Sequence, residues 1–221
     1  MLTISCDEMK AMDSYAINII GIPSIVLMEN AALKVIDNID LSGTDSYTIV
    51  CGTGNNGGDG LAVARHLILK KKTVDLFTVG NLDKRTKDFN INFDILKNMK
   101  VNFTHIVDDY GLKKIKESTK KSNLTIDSLF GIGITRNVEG IFYKVIDIIN
   151  KNSNSILSVD IPSGLDGDTG QVLGISIKAN KTVTFHHMKK GLEKSERYTG
   201  NIIVEDIGIP NRVAEVILGK E

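Results

Sequence analysis

Cysteine, proline and tryptophan are scarce in this sequence, and neither sign of charge is in excess. Cys6 and Cys51 are the only cysteines and lack Cys-x-x-Cys spacing, which excludes a disulfide framework and a cysteine zinc site. Lys and Arg total 27, and so do Asp and Glu. A nucleic-acid binder normally carries a basic excess, so no nucleic-acid partner is expected, and an anionic ligand would have to be held by local groups. Long apolar runs are missing as well. The most apolar stretch, Ile17 to Met28, is interrupted by Asn18, Gly21, Pro23 and Ser24 and falls short of the roughly 20 apolar residues a membrane span needs. Asp7 and Glu8 stand where a secretory signal would place its apolar stretch. These absences point to a protein independent of membranes, in a reducing, cytoplasmic compartment.

With 42% hydrophobic and 24% charged residues, the 221 residues suit one globular core. Residues 1–221 are read as a single domain, with residues 1–40 a helical N-terminal extension that could serve as a lid or a dimerisation arm. Ser5 and Glu8 have capping-box spacing, and Met9, Met12, Ala16, Ile17 and Ile20 recur at helical intervals, which predicts a helix from about Asp7 to Ile20. Gly21 and Pro23 break it before a second helix from Ile25 to Ile36. From Tyr47 onward, β-rich runs alternate with amphipathic stretches. The runs are Tyr47 to Cys51, Thr73 to Val79, Val101 to Ile106, Leu124 to Leu129, Ile156 to Ile161, Thr182 to His186 and Ile202 to Ile207. Helices are predicted at about Leu61 to Leu69, Lys84 to Met99 and Val138 to Lys151. Such alternation predicts an α/β fold, a Rossmann-like three-layer sandwich with a mostly parallel central sheet. The last two runs lack an obvious crossover helix, so the sheet is expected to change character near its C-terminal end. Lys70 to Lys72 and Lys120-Lys121 read as solvated connector charges.

Chemistry gathers at three strand ends. The segment Cys51-Gly-Thr-Gly-Asn-Asn-Gly-Gly-Asp-Gly60 follows a buried-looking strand and opens a helix, where glycines allow close backbone approach and free N–H groups attract an anion. Gly52, Gly54 and Gly57 fit the dinucleotide spacing G-x-G-x-x-G, but Asp75, near the expected ribose-binding offset, falls inside a strand pattern rather than at its end. A hydride-transferring reading is thereby weakened. The second strand end, Asp127-Ser-Leu-Phe-Gly-Ile-Gly-Ile-Thr-Arg-Asn137, carries an acid, two turn glycines and Arg136, whose guanidinium can clamp a phosphate. The third, Ile156 to Gly170, places Asp160 before a rigid Pro162-Ser163-Gly164 turn. If these strands neighbour one another, the loops form one pocket. It offers backbone N–H groups, Arg136, the amides of Asn55 and Asn56, the carboxylates of Asp59, Asp127 and Asp160, and the Ser163 hydroxyl. No Gly-x-Ser-x-Gly elbow occurs, and the four histidines lie outside these loops, so acid–base work falls to an aspartate, and the oxygen donors suit a hard cation.

In their order, Gly52 to Gly60, Asp127 to Gly131 and Asp160 to Gly170 closely resemble the YjeF N-terminal domain family, the NAD(P)HX epimerases. The similarity extends to Gly21-Ile-Pro-Ser24, Leu27 to Ala31, Thr182 to Phe185, Lys189, Gly191-Leu192 and Asp206 to Pro210, nearly the whole chain. Asn137, where the family often has proline, and His186, His187 and Lys190 depart from it. The resemblance implies interconversion of the R and S epimers of hydrated NADH or NADPH, so that a partner dehydratase can restore the nicotinamide. It implies substrate contacts at Asn55, Asn56, Gly57, Gly58 and Asp59, at Gly131, Ile132, Gly133, Ile134, Thr135, Arg136 and Asn137, and at Asp160. It also implies a potassium ion held by Asn56, Asp127 and Ser163, and a homodimer.

The reaction can be argued from the substrate. The hydroxyl of a nicotinamide hydrate sits on the carbon next to the ring nitrogen, whose lone pair expels it once an acid protonates the oxygen. Water returning to the opposite face of the planar iminium inverts the centre. Asp160 is the candidate acid and base. Rival readings are an NAD-dependent dehydrogenase, for which no catalytic pair is evident, and a non-catalytic scaffold, which loss of the strand-end aspartates would favour. Asp127, Asp160 and Ser163 are all present.

Overall fold

The computed structural model describes residues 2–219. Strand β1 (Thr3–Ile4) leads into helix α1 (Cys6–Tyr15), whose first turn is closed by both halves of the predicted capping box: Ser5 Oγ accepts from the Glu8 amide, and Glu8 accepts from the Ser5 amide at 2.6 Å. A single π-helical turn, Ala16–Ile20, continues α1 and stops at Gly21, whose φ of 86° is the left-handed conformation that favours glycine. Helix α2 (Ser24–Asp37) follows. It is no loose appendage, since Ala31, Ala32, Val35 and Ile36 are buried in the same core as the sheet.

From there strands and helices alternate: β2 (Ser46–Cys51), α3 (Asn55–Leu69), β3 (Thr73–Val79), α4 (Lys87–Asn98), β4 (Phe103–Ile106), α5 (Asp109–Lys121), β5 (Leu124–Ser128), α6 (Gly140–Asn152) and β6 (Ile156–Val159). The C-terminal part adds β7 (Lys181–Phe185), β8 (Met188–Lys189), the short helices α7 (Lys190–Glu193) and α8 (Glu196–Thr199), β9 (Asn201–Glu205) and α9 (Asn211–Ile217). Seven strands form one sheet in the order β4-β3-β2-β5-β6-β7-β9, every pairing parallel, while β1 and β8 make a separate parallel pair. Helices α2, α3, α4 and α9 contribute to the core on one face, with α5 and α6 on the other. This is the expected three-layer α/β sandwich. Among the described residues no helix is long and apolar enough to cross a membrane.

Three expectations change. The sheet does not alter character at its C-terminal end: β7 and β9 pair in parallel, because the crossovers are an irregular loop after Val159 and the short α7 and α8 instead of full helices. Helix α5 was not expected; Leu112 and Ile115 bury its one apolar edge, and Lys120-Lys121 close its last turn, where cations suit the helix dipole. Finally, α3 begins at Asn55, so most of the supposed glycine loop is the helix itself.

The chain order reverses direction between β2 and β5, which are neighbours, with β6 beside β5. Loops leaving the carboxyl ends of such strands open a crevice, the usual ligand position of a doubly wound sheet. The three motif-bearing loops therefore meet.

Candidate active site

A cavity of about 800 Å³ lies at this reversal. The strand ends give it Thr53, Gly54, Asn55, Asn56 and Asp59 after β2, Leu129 to Arg136 after β5, and Asp160 after β6. Helices α1 and α2 and the π-turn between them supply the facing wall, including Asp13, Ser14 and Asn18. The N-terminal helices thus form part of the crevice lining.

The start of α3 has the character of an anion seat. Its N-cap, Gly54, offers no side-chain acceptor, so the first amides of the helix are left to a ligand. Arg136 is exposed at the cavity rim and makes no ion pair among the described residues. Gly57 and Gly58 are buried behind the cavity wall. A Cβ on Gly57 would overlap the carbonyl oxygen of Gly52, and one on Gly58 would press on the end of Met28. These two glycines serve the packing of α3 against the strand ends and α2. Gly54 and Gly133, by contrast, face open space. Asn137 is exposed and does not line the cavity.

Asp160 ends β6 with a φ of 65°, a left-handed backbone rarely adopted outside glycine and asparagine-like residues. Its amide donates to the Val183 carbonyl at 2.7 Å, which holds that turn. Lys189, only 1% exposed, donates to Asp160 Oδ1 at 2.7 Å, Thr184 Oγ1 at 2.9 Å and the Phe185 carbonyl at 3.0 Å. Thr184 adds a bond to the same Oδ1 at 3.1 Å. All three ammonium protons are therefore used on the protein. Oδ2 faces Gly131 instead, where even an added Cβ would lie 3.3 Å from it. One oxygen of Asp160 is tied down, and the other is turned to the ligand loop.

Asp127 is fully buried and lies off the cavity surface. It accepts from Ser158 Oγ at 2.8 Å, from the Ser163 amide at 2.9 Å, from Ser163 Oγ at 2.5 Å and from the Leu129 amide at 3.3 Å. Burial raises its pKa, and those four bonds oppose the rise. Its visible work is to staple β5 to β6 and to the Pro162-Ser163 turn, so the carboxylate is hydrogen-bonded without help from an ion. Asn56 is different: both side-chain atoms of its amide are buried with no hydrogen-bond partner. An orphaned amide of this kind needs a ligand, and its carbonyl oxygen fits a hard cation.

Asp59 and Asp13 lie in the same electrostatic neighbourhood. Burial lifts Asp59 well above 3.8, and the charges of Asp160, Asp13 and Asp88 add to the rise. Asp13 is raised from 3.8 to about 6, by burial first, with Lys189 opposing and Asp160 reinforcing. No histidine lines the cavity, in keeping with the sequence reading. Asp75 accepts from Ser118 on α5 and is likewise no part of it.

Sequence reasoning missed Asp13, Asn18, Thr86, Asp88 and the contact between Lys189 and Asp160. For Asp13 a signal existed: with Met9 and Ile17 it occupies one face at four-residue spacing, a carboxyl on an apolar stripe. Thr86 and Asp88 begin α4 and reach the cavity only through tertiary packing.

A doubly wound parallel sheet, with a side-chain-free helix start at its switch point and an acidic cavity beside it, defines a Rossmann-like α/β domain built around a ligand crevice. Residues 24–191 match the family model described as YjeF-related protein N-terminus. The chain is 39% identical to an NAD(P)H-hydrate epimerase of Anaerococcus prevotii over 99% of this chain and 100% of that protein. It is 42% identical to one of Lentilactobacillus buchneri, over 93% and 94% of the two chains. The crystal structure of the yeast protein ynu0 superposes with a TM-score of 0.82 at 24% identity, covering 98% of this chain and 93% of that one, and shares the fold. This chain belongs to the YjeF-related N-terminal family.

Proposed function

We propose that this protein is an NAD(P)H-hydrate epimerase, interconverting the R and S forms of hydrated NADH and NADPH. The observation that carries the reading is Asp160, a carboxyl group fixed at a strand end with one oxygen held by Lys189 and Thr184 and the other turned toward the ligand loop. Its relatives of similar length carry the same activity in their names. The amides at the start of α3 and the Arg136 guanidinium bind the phosphates, and Asn55, Asp59 and the loop Gly131, Ile132, Gly133, Ile134, Thr135 and Arg136 frame the nucleotide. Asp160 exchanges a proton with the water on its face of the ring, which is general acid–base catalysis. Pure R-NADHX followed by NMR or chromatography should reach a mixture of epimers faster with the protein than in buffer. A ratio drifting at the buffer rate overturns the reading.

The active species is a homodimer, and an NAD(P)HX dehydratase consumes one epimer. Ile19, Ile20, Val26 and Leu33, exposed large apolar residues on the helical segment, support an interface there. Gly133→Val tests the ligand loop. Nothing lies within 4 Å of a Cβ at this position, so the melting temperature should stay unchanged while affinity for NADP⁺ falls, as read by calorimetry. Unchanged affinity would move the nucleotide elsewhere in the cavity.

A potassium ion would be held by Asn56, Asp127 and Ser163; the unpartnered Asn56 amide supports this assignment. When bound, it would supply a fixed positive charge in the site. Replacing a bulky organic cation by potassium at equal ionic strength should raise the melting temperature through preferential binding to the folded state, and Asn56→Ala should remove that increment. Equal melting in both buffers removes the ion from the account.

A further inference from the structure

Epimerisation through an iminium asks for proton transfer on both faces of the ring: the hydroxyl leaves from one, and water arrives at the other. One carboxyl serves one face. Asp160 reaches the cavity from the sheet, at the end of β6, and its free Oδ2 points toward the ligand loop. The helical wall built by α1 carries Asp13, whose carboxyl accepts no hydrogen bond among the described residues and which lines the same cavity. A carboxyl placed on the apolar stripe of a helix, beside Met9 and Met12, which are buried, has no packing reason to be there.

We infer that Asp13 is a second acid–base residue of the epimerisation, serving the ring face opposite to the one served by Asp160. The inference rests on the epimerase reading. In one direction Asp13 donates its proton to the hydroxyl, the C–O bond breaks, and the nitrogen lone pair forms the C=N bond of the iminium as water leaves. On the other face a water oxygen bonds to the same carbon, the π pair returns to nitrogen, and Asp160 takes the released proton. The reverse reaction exchanges the two roles, and solvent resets both carboxyls.

The surroundings of the two groups differ. Asp160 is ion-paired with Lys189, whereas Asp13 has burial and the Asp160 charge against its ionisation and only the Lys189 charge in favour. The other charged groups near Asp13 are Asp59 on α3 and, on its own helix, Lys10, which also lines the cavity. A folded value of about 6 against the usual 3.8 means that the folded chain keeps this proton longer than the unfolded one. Stability of the wild type relative to Asp13→Asn therefore falls as the pH rises from about 4 to about 6 and is level above that.

The test is Asp13→Asn with each pure epimer in ¹⁸O-labelled water. Interconversion should fall on the order of 10²-fold or more. The epimer whose hydroxyl faces Asp160 should still take up label without inverting, while the other epimer no longer does. Affinity for NADP⁺ should hold within about twofold, and the melting temperature at pH 7 should be equal to the wild type's or higher. Asp13→Ala should repeat the pattern if the asparagine variant expresses poorly. Interconversion within about threefold of wild type, equal loss of label uptake in both epimers, or a defect matched by weakened NADP⁺ binding overturns the inference. Failure of the wild type to accelerate interconversion overturns the epimerase reading instead.

Discussion

Asp160→Asn is expected to abolish epimerisation while leaving the fold and NADP⁺ affinity in place. Asparagine keeps the shape of the side chain, and its carbonyl can still accept from Lys189 and Thr184 in place of Oδ1. It is also among the few residues that tolerate the left-handed backbone at this position, where φ is 65°. What it loses is the ability to carry a proton, worth about 10²- to 10⁴-fold in rate. Most other substitutions would confuse catalysis with strain. Turnover, calorimetry with NADP⁺ and thermal melting separate the effects. Near wild-type turnover would eliminate Asp160 from the mechanism.

Gly57→Ala should be strongly destabilising. The added carbon overlaps the Gly52 carbonyl oxygen, and that partner is backbone at the strand end, so it has no rotamer by which to move aside. Gly52 is equally confined, since its own Cβ would overlap the Leu129 carbonyl oxygen. Overpacking of a tight core costs about 1–3 kcal/mol and more where backbone must shift, which is a large share of the stability of a single domain. Gly54→Ala, two residues past Gly52 and facing open space, should melt close to wild type. Chemical denaturation of the two variants provides the comparison. Equal stability would mean that the glycines of this segment are there for the ligand after all.

The contrast shows what the sequence could and could not convey. Its strands were legible because β-branched runs such as Tyr47 to Cys51 and Thr182 to Phe185 are buried and short. The start of α3 was not, because Asn-Asn-Gly-Gly-Asp-Gly has poor helix propensity; close packing on Gly52 and on Ser128, 2.6 Å from a Cβ on Gly60, selects the helix. Helix α5 escaped notice because only two large apolar residues, Leu112 and Ile115, are buried on it. The convergence of three strand-end loops was expected only if their strands were neighbours, and β2, β5 and β6 are. That Lys189 ties Asp160, and that α1 walls the cavity, depends on long-range pairing which no local pattern encodes.

The pairing of β1 with β8 sets Ile4 opposite Lys189, so the residue that steadies Asp160 is itself braced by the first turn of chain. Nearly the full polypeptide must be made before that brace can form, and closing so long a loop is a late, entropically costly event in folding. The strands from β2 to β6, which all precede β8 in the chain, can therefore assemble ahead of a competent catalytic centre. Fusion partners joined directly at the N-terminus, or removal of the first few residues, would act on activity before they act on the melting of the sheet. Refolding followed by far-ultraviolet circular dichroism and by recovered turnover should give two different rates, with turnover the slower.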